Sequence, residues 1–340
     1  MKISINCSHK GGAAYGGGAH FVKNLSDSLF FNKHEVFFDL KQKDLDIILI
    51  ISPRKIKSLT NYSTGQIARY LKSTNNKAIV VHRINECDER KNTNFMNKKL
   101  RVCNYLSDHT IVVSNYLKTL DLFFDNKTPV TKIINGANNK IFKPRIKKKK
   151  SYFSIVTHHW SPNFLKGHDI YQLLDRLCGS NKWKGKIKFT YIGNFPKNIK
   201  FVNSKIINPL SNIYLAKELQ KHDIYLTASN NDPGPSHHIE GALCGLPLLY
   251  KNSGGITESA KGYGVQFESA NQFENSLSNL IQNYEKYEKK MKFFPYTKDK
   301  MCKQYLDLFK KILINRNNYY ISRKKKYNFW YNLFFLLKFW

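Results

Sequence analysis

The sequence has few acidic residues for its length. Its 340 residues contain 24 Asp and Glu against 56 Lys and Arg, which gives a formal net charge of +32 at pH 7. A charge of this size attracts anionic partners, among them nucleic acid, anionic lipid and acidic glycan. Lysine is spread along the whole chain together with Asn, Ile, Phe and Tyr, so part of the excess positive charge reflects the overall composition and not a function.

The sequence also lacks long apolar runs and paired cysteines. No segment reaches the roughly 20 apolar residues of a membrane-spanning helix, and glycines follow residues 1–7 at once, which is unlike a signal peptide. None of the six cysteines forms a C-x-x-C pair, and a chain of this length has enough core without disulfides. These absences predict a cytoplasmic protein with reduced thiols and two domains of ordinary size.

Apolar segments of strand length alternate with helical segments in the first half of the chain. The pattern predicts strands at 3–7, 35–38, 46–52, 78–82, 109–113 and 131–134, and helices at 20–31, 65–73, 95–106 and 114–123. Such alternation is typical of a parallel, doubly wound sheet with helices on both faces. Ligands of these sheets bind beyond the carboxyl ends of the strands.

A basic connector containing Pro144 and the lysines at 147–150 interrupts the alternation, which predicts a domain boundary there. The pattern then resumes with strands at 152–157, 188–192, 224–227 and 248–250, and helices at 168–177, 213–220, 240–244 and 272–292. We therefore predict an α/β fold of two Rossmann-like domains, residues 1–147 and 148–295. A C-terminal helix and a basic, aromatic tail, residues 296–340, follow them.

The most specific motif lies between residues 230 and 258. Asp232 and Glu240 have seven residues between them, and Glu240 opens a small-residue run that ends at Pro247. Carboxylates hold sugar hydroxyls, and N–H groups at helix N-termini receive phosphate, so the pattern suits a sugar nucleotide. Two turns complete the motif with Gly234, Pro235, Ser236, Gly254, Gly255 and Glu258.

This motif resembles the C-terminal signature of family-4 retaining glycosyltransferases, which have the GT-B fold. In that family two acidic residues with the same spacing precede a small-residue run with Cys-Gly-x-Pro, and Asp232 replaces the family's usual, longer Glu. The matched motifs extend from about Gly11 to Glu258. The resemblance implies two domains facing a cleft, with the N-terminal domain on the acceptor side and the C-terminal domain binding the nucleotide sugar.

Other segments resemble the same family. A Gly-rich loop containing Gly16, Gly17 and Gly18 follows the first strand, where the family's loop approaches donor phosphate and acceptor. His82 ends a strand, as does the family histidine that contacts the donor sugar. The turn at 135–137 resembles the turn that closes the family's N-terminal domain.

The diphosphate site departs from the family pattern. The family presents an Arg and a Lys after the first strand of its second domain, and their charges stabilise the departing diphosphate. Lys166 matches the Lys, but no Arg is present, and His158, His159 or Trp160 occupies its neighbourhood. How the second charge is balanced stays open at this point.

The resemblance implies transfer of a hexosyl group, with retention, from a nucleoside diphosphate sugar to a glycan or lipid-linked acceptor in cell-surface polysaccharide or lipopolysaccharide synthesis. It implies same-face attack, in which the departing phosphate helps to deprotonate the acceptor, so Asp232 and Glu240 position hexose and ribose. The implied catalytic residues are His82, Lys166, Asp232 and Glu240. The implied substrate-binding residues are Gly16, Gly17, Gly18, His158, His159, Gly234, Pro235, Ser236, Gly254, Gly255 and Glu258.

We expect neither a metal nor another cofactor. The D-x-D sequence at Asp44 and Asp46 directly precedes a strand and is interpreted as a charged strand entry. His237 and His238 are adjacent, so their side chains point apart, and no third ligand is suitably spaced. Activity is therefore predicted to be metal-independent.

The tail at 316–340 carries six basic residues, no acidic residue and ten aromatic rings. This composition predicts peripheral contact with an anionic membrane, on its cytoplasmic face, and the alternative is packing on the N-terminal domain or a partner. Two other functions remain open: a nucleic-acid-binding protein, for which no RNA-binding motif is present, and a GT-B nucleotide-sugar epimerase. We expect no nucleic-acid partner.

Overall fold

The computed structural model describes residues 1–8, 17–54, 60–146 and 150–327, with side chains described up to residue 324. Two sheets, each of six parallel strands, form the centres of two domains. The predicted α/β fold with two doubly wound sheets is therefore confirmed.

The N-terminal sheet has the order β2-β1-β3-β4-β5-β6. Its strands are short, and the four inner strands are buried on both faces because helices cover each side of a parallel sheet, whereas the edge strands β2 and β6 are partly exposed. They are β1 (Lys2–Ile5), β2 (Glu35–Phe37), β3 (Ile47–Ile50), β4 (Ile79–Ile84), β5 (His109–Val112) and β6 (Val130–Lys132). The helices between them are α1 (Gly17–Phe31), α2 (Thr64–Ser73), α3 (Asp88–Lys91) and α4 (Met96–Asn104).

The C-terminal sheet has the order β12-β11-β10-β7-β8-β9. Its strands are β7 (Phe153–His159), β8 (Ile187–Gly193), β9 (Lys205–Ile207), β10 (Ile224–Thr227), β11 (Leu248–Lys251) and β12 (Gly264–Phe267). The helices of this half are α5 (His168–Gly179), α6 (Asn212–Leu219), α7 (His237–Leu243), α8 (Ile256–Ala260), α9 (Ala270–Gln282) and α10 (Tyr284–Met291).

Two predicted helices differ from the structure. The segment predicted as a helix at 114–123 forms only a short 3-10 helix, Asn115–Thr119, because the chain turns into an extended conformation at Leu120. The helix predicted at 272–292 is two helices that meet at Asn283, whose amide side chain donates to the main-chain oxygen of Asn279. An asparagine that bonds the backbone in this way competes with continuation of a helix.

The last two helices, α11 (Lys298–Ile314) and α12 (Arg316–Tyr327), return to the N-terminal sheet. Tyr305 and Phe309 of α11 are buried in the same core cluster as β1 and α1. The guanidinium of Arg323 in α12 pairs with the buried carboxylate of Asp108. This part of the tail therefore packs on the N-terminal domain, and residues 328–340 lie outside the described residues.

Among the helices of the described segments, none combines the length and the apolar character needed to cross a bilayer.

Candidate functional site

A cleft of about 530 Å³ lies between the two sheets. Residues at or just beyond the carboxyl ends of β1, β3, β4, β7 and β8 line it, together with the first turns of α1 and α7. This is the position at which parallel α/β sheets bind ligands. Of the predicted substrate-binding residues, those lining the cleft are Gly17, Gly18, His158, His159, Gly234, Pro235 and Ser236. Gly16 lies outside the described residues.

Asp232 is the centre of a buried charged cluster on the cleft wall. Its Oδ2 atom lies 2.7 Å from Nζ of Lys166 and 3.0 Å from Nε of Arg90. Lys166 ends the 3-10 helix Phe164–Lys166 in the C-terminal domain, whereas Arg90 belongs to α3 in the N-terminal domain. One carboxylate oxygen thus joins two cations from opposite sides of the cleft.

The opposite charges of this cluster stabilise one another. Burial raises the pKa of the Asp232 carboxyl, but the adjacent Arg90 and Lys166 charges outweigh burial and lower that pKa below its usual value. Asp232 in turn is the main cause of a raised pKa for Arg90. Burial lowers the pKa of Lys166, and Asp232 offsets part of this effect. Each of the two ion pairs therefore favours the charged form of both of its partners.

Gly254 and Gly255 are not among the cleft-lining residues that the structure describes, although they were predicted to bind substrate. The main-chain N–H of Gly255 donates to the main-chain oxygen of Asp232 (2.9 Å). Gly254 has φ +60°, and a Cβ atom there would collide with the Asp232 backbone. The glycine turn thus supports the Asp232 loop from behind.

Glu240 begins a second buried chain of polar contacts. Its Oε2 atom lies 2.9 Å from Nε2 of His158, and Nδ1 of His158 lies 3.0 Å from the hydroxyl of Tyr225. This hydroxyl also accepts the main-chain N–H of His158, so its own proton is available for Nδ1. We therefore assign the ring proton to Nε2, which donates it to Glu240. Oε1 of Glu240 has no hydrogen bond from the described residues.

Four histidines near the cleft, His159, His168, His237 and His238, are neutral at pH 7. Burial lowers the pKa of His159 and of His237 well below the usual value, and that of His168 and His238 to about 4. His159 Nε2 instead contacts the hydroxyl of Tyr171 at 2.6 Å. A neutral His159 does not supply the cation that the missing Arg would carry.

His82 does not line the cleft as predicted. β4 continues two residues beyond it to Ile84, so the ring is buried inside the domain, and neither ring nitrogen has a hydrogen-bond partner among the described residues. Burial lowers the pKa of His82 to about 3. The neighbouring Arg83 lines the cleft instead. His82 therefore does not lie at the position predicted for contact with a donor sugar, and that prediction is wrong.

Glu258 also lies away from the described cleft lining. One of its carboxylate oxygens accepts the main-chain N–H of Tyr116 (3.1 Å), and the other lies 2.9 Å from Nζ of Lys132. Both partners belong to the N-terminal domain. Glu258 thus joins the two domains, and its role in binding substrate stays a prediction.

The charged side chains that follow β4 were not predicted from the sequence to line the cleft. Glu86 pairs with Arg54 and with Lys91, and all three line the cleft next to Arg90. The available signal was the charged segment at 83–91, which directly follows a buried strand at the ligand-binding edge of the sheet.

The D-x-D carboxylates lie at the start of β3. Asp44 is 2.7 Å from Nζ of Lys2, and Asp46 pairs with Arg316 of α12. Within residues 1–8, 17–54, 60–146 and 150–327, no group of three or more His, Cys, Asp or Glu side chains is arranged to hold a metal. Metal independence stays a prediction.

No protein-family model matches the chain, and no curated protein sequence does. Several solved structures resemble it over most of their length. Sucrose-phosphate synthase from Thermosynechococcus elongatus has a TM-score of 0.66 at 11% identity, covering 93% of this chain and 100% of that one. The chain has the GT-B fold.

Two further GT-B structures show the same likeness. HepE from Anabaena, crystallised with UDP and glucose, has a TM-score of 0.62 at 13% identity, covering 91% of this chain and 99% of HepE. A glycosyltransferase from Rickettsia africae has a TM-score of 0.58 at 15% identity, covering 89% of this chain and 84% of that protein. At these identities the likeness establishes the fold alone.

Proposed function

We propose that the protein is a retaining glycosyltransferase that moves a hexosyl group from a nucleoside diphosphate sugar to a glycan or lipid-linked acceptor. The observation that carries the proposal is that the buried carboxylate of Asp232 and the partly buried carboxylate of Glu240 line the same cleft at the predicted spacing. Asp232 is beside Lys166, and Glu240 keeps Oε1 available in a cleft between two Rossmann-like domains. HepE, which has the same fold, was crystallised with UDP-glucose.

In this proposal the C-terminal domain binds the donor. Glu240 accepts a ribose hydroxyl at Oε1, while His158 and Tyr225 fix its other oxygen. Lys166 stabilises the charge that develops on the departing diphosphate, which is the main catalytic demand of this reaction. Asp232 positions the hexose. Neither carboxylate needs to act as a nucleophile.

We infer retention from same-face attack. The acceptor oxygen forms its bond to the anomeric carbon as the bond to the diphosphate breaks. The acceptor proton passes to an oxygen of the departing phosphate on the same face. Lys166 stabilises the negative charge of the departing nucleoside diphosphate, so the proposed reaction needs no metal ion. We therefore expect the protein to remain active in the presence of EDTA.

A donor screen tests the function. Thermal-shift and saturation-transfer NMR measurements against UDP-, GDP- and ADP-sugars are expected to reveal one preferred nucleotide. Incubation with that donor and a mixture of glycan and lipid-linked acceptors, followed by NMR, identifies the product and its anomeric configuration. A donor whose sugar epimerises without any acceptor would favour the epimerase, and binding of no nucleotide sugar would refute the proposal.

We also propose that residues 324–340 contact an anionic membrane, near a lipid-linked acceptor of cell-surface glycan assembly. Arg316 and Arg323 pair with carboxylates of the N-terminal domain, so the basic residues left for lipid are Lys324, Lys325, Lys326 and Lys338. Each contributes roughly 1 kcal/mol near anionic headgroups.

Truncation tests this contact. A chain ending after Tyr327 retains α12 and three of the four lysines but loses Lys338 and the aromatic residues at 329–340, so it should co-sediment less with anionic vesicles than the full chain. High salt should weaken the binding of both chains. Equal sedimentation of the two chains would contradict membrane contact by the removed segment and leave the enzymatic proposal untouched.

A further inference from the structure

We propose that Arg90 of the N-terminal domain is the second cation of the diphosphate site. This inference rests on the proposed function. The second domain of this chain has Lys166 but no Arg at the expected place. In this inference Arg90 supplies the second positive charge that stabilises the departing diphosphate.

The geometry places the two cations side by side. Nζ of Lys166 and Nε of Arg90 contact the same atom, Oδ2 of Asp232, at 2.7 and 3.0 Å. The other oxygen, Oδ1, accepts only a long hydrogen bond of 3.4 Å from the main-chain N–H of Gly234 among the described residues. A phosphate oxygen has the same charge and accepts the same donors as this carboxylate.

The cationic side chains around the cluster outnumber the carboxylates by two. Glu86 is shared by Arg54 and Lys91, and Asp232 is shared by Lys166 and Arg90. Across the described part of the cleft, five cationic side chains face three carboxylates, and the buried histidines next to them are neutral. Since a buried charge is stabilised by an opposite charge, this site favours a dianionic ligand.

The backbone around Arg90 is fixed before any ligand arrives. Asp88, two residues earlier, accepts the main-chain N–H groups of Met96 (2.8 Å) and Asn97 (2.9 Å). The main-chain N–H of Asp88 in turn donates to the side-chain oxygen Oδ1 of Asn97 (2.8 Å). These bonds tie α3 to the start of α4, so that Arg90 extends from an ordered turn.

The arrangement gives Asp232 two roles in succession. Without donor, its carboxylate occupies the place of the phosphate and pairs with both Arg90 and Lys166. When the diphosphate binds between the two cations, they turn to it, and the Asp232 oxygens become acceptors for hexose hydroxyls. Because Arg90 and Lys166 belong to different domains, the diphosphate also holds the cleft closed.

The test compares a nucleoside diphosphate with its own nucleoside, using the base that the donor screen selects. Calorimetry of Arg90→Gln should show diphosphate affinity reduced by roughly 10- to 100-fold, as expected for loss of a charge-assisted contact. Nucleoside affinity should be unchanged, and Arg90→Lys should recover part of the loss. Arg101→Gln is the matched control, because Arg101 pairs with Asp121 in the same domain outside the cleft.

The outcomes separate this inference from the function on which it rests. Wild-type protein that binds no nucleoside diphosphate would refute the function itself. If wild type binds and Arg90→Gln binds equally well, Arg90 does not contact phosphate, and the inference fails while the function stands. An equal loss for nucleoside and diphosphate would also overturn it, because the residue would then act only by holding the domains together.

Discussion

Replacement of Glu240 by Gln offers the sharpest test of the donor site. The substitution preserves the shape of the side chain and removes its charge, so His158 loses a charged partner and a ribose hydroxyl loses a charged acceptor. A hydrogen bond to a charged group contributes about 1.5–3 kcal/mol. The dissociation constant of the donor should therefore rise by roughly 10- to 100-fold.

The assay is a thermodynamic cycle of protein and ligand changes. Calorimetry measures wild type and Glu240→Gln with the selected nucleoside diphosphate and with its 2′-deoxy form. If Oε1 accepts the 2′-hydroxyl, the two changes are not additive, because each removes the same contact. Glu274→Gln, at a surface ion pair of the same domain, is the control. Full additivity would refute a contact between Glu240 and the 2′-hydroxyl, and an unchanged affinity in Glu240→Gln would refute the ribose assignment.

Three further changes test other parts of the molecule. Lys166→Ala should weaken diphosphate binding roughly 10-fold or more without affecting nucleoside binding, as measured by calorimetry; an unaltered diphosphate affinity would contradict its role. Arg323→Met should lower the free energy of unfolding in urea by about 3–5 kcal/mol, because it leaves buried Asp108 without its cation, whereas Lys324→Met, the exposed neighbour, should change it little. Acid should destabilise the fold through His82, whose pKa is about 3 in the folded state and about 6.5 when unfolded. Above pH 6.5 His82 is neutral in the folded and the unfolded state and does not lower the free energy of unfolding. Between about pH 6.5 and about pH 3, its protonation in the unfolded chain lowers the free energy of unfolding by about 1.4 kcal/mol per pH unit. Urea titrations at pH 7, 6 and 5 measure this decline, and His82→Gln should reduce it; a wild-type stability independent of pH would contradict the reasoning.

The two-domain fold was predictable because its signals are local. Strands such as Ile47–Ile50 are continuous apolar runs, and the lengths of the segments between them fit helices that cross over a parallel sheet. The ends of the strands were harder to predict. β4 includes Arg83, a charged residue that normally ends a strand, so the prediction ended the strand at His82 and misplaced that residue.

Only the part of the site whose residues are close in sequence could be predicted. The spacing of Asp232 and Glu240 is visible in one segment. The partners of both carboxylates come from elsewhere: His158 is 82 residues from Glu240, and Arg90 comes from the other domain. Arg90 also lies in α3, a single helical turn with no apolar periodicity to mark it. Its contact with Asp232 depends on how two domains face each other.

The return of α11 and α12 to the N-terminal sheet has a consequence for synthesis on the ribosome. Domains generally fold in the order in which they emerge. Here the core of the first domain includes Tyr305, Phe309 and Ile312, and Arg323 neutralises its buried Asp108, so that core is incomplete until the last helices are made. The core clusters of the second domain draw only on residues between 134 and 296. We therefore expect the second domain to reach its native state during translation before the first.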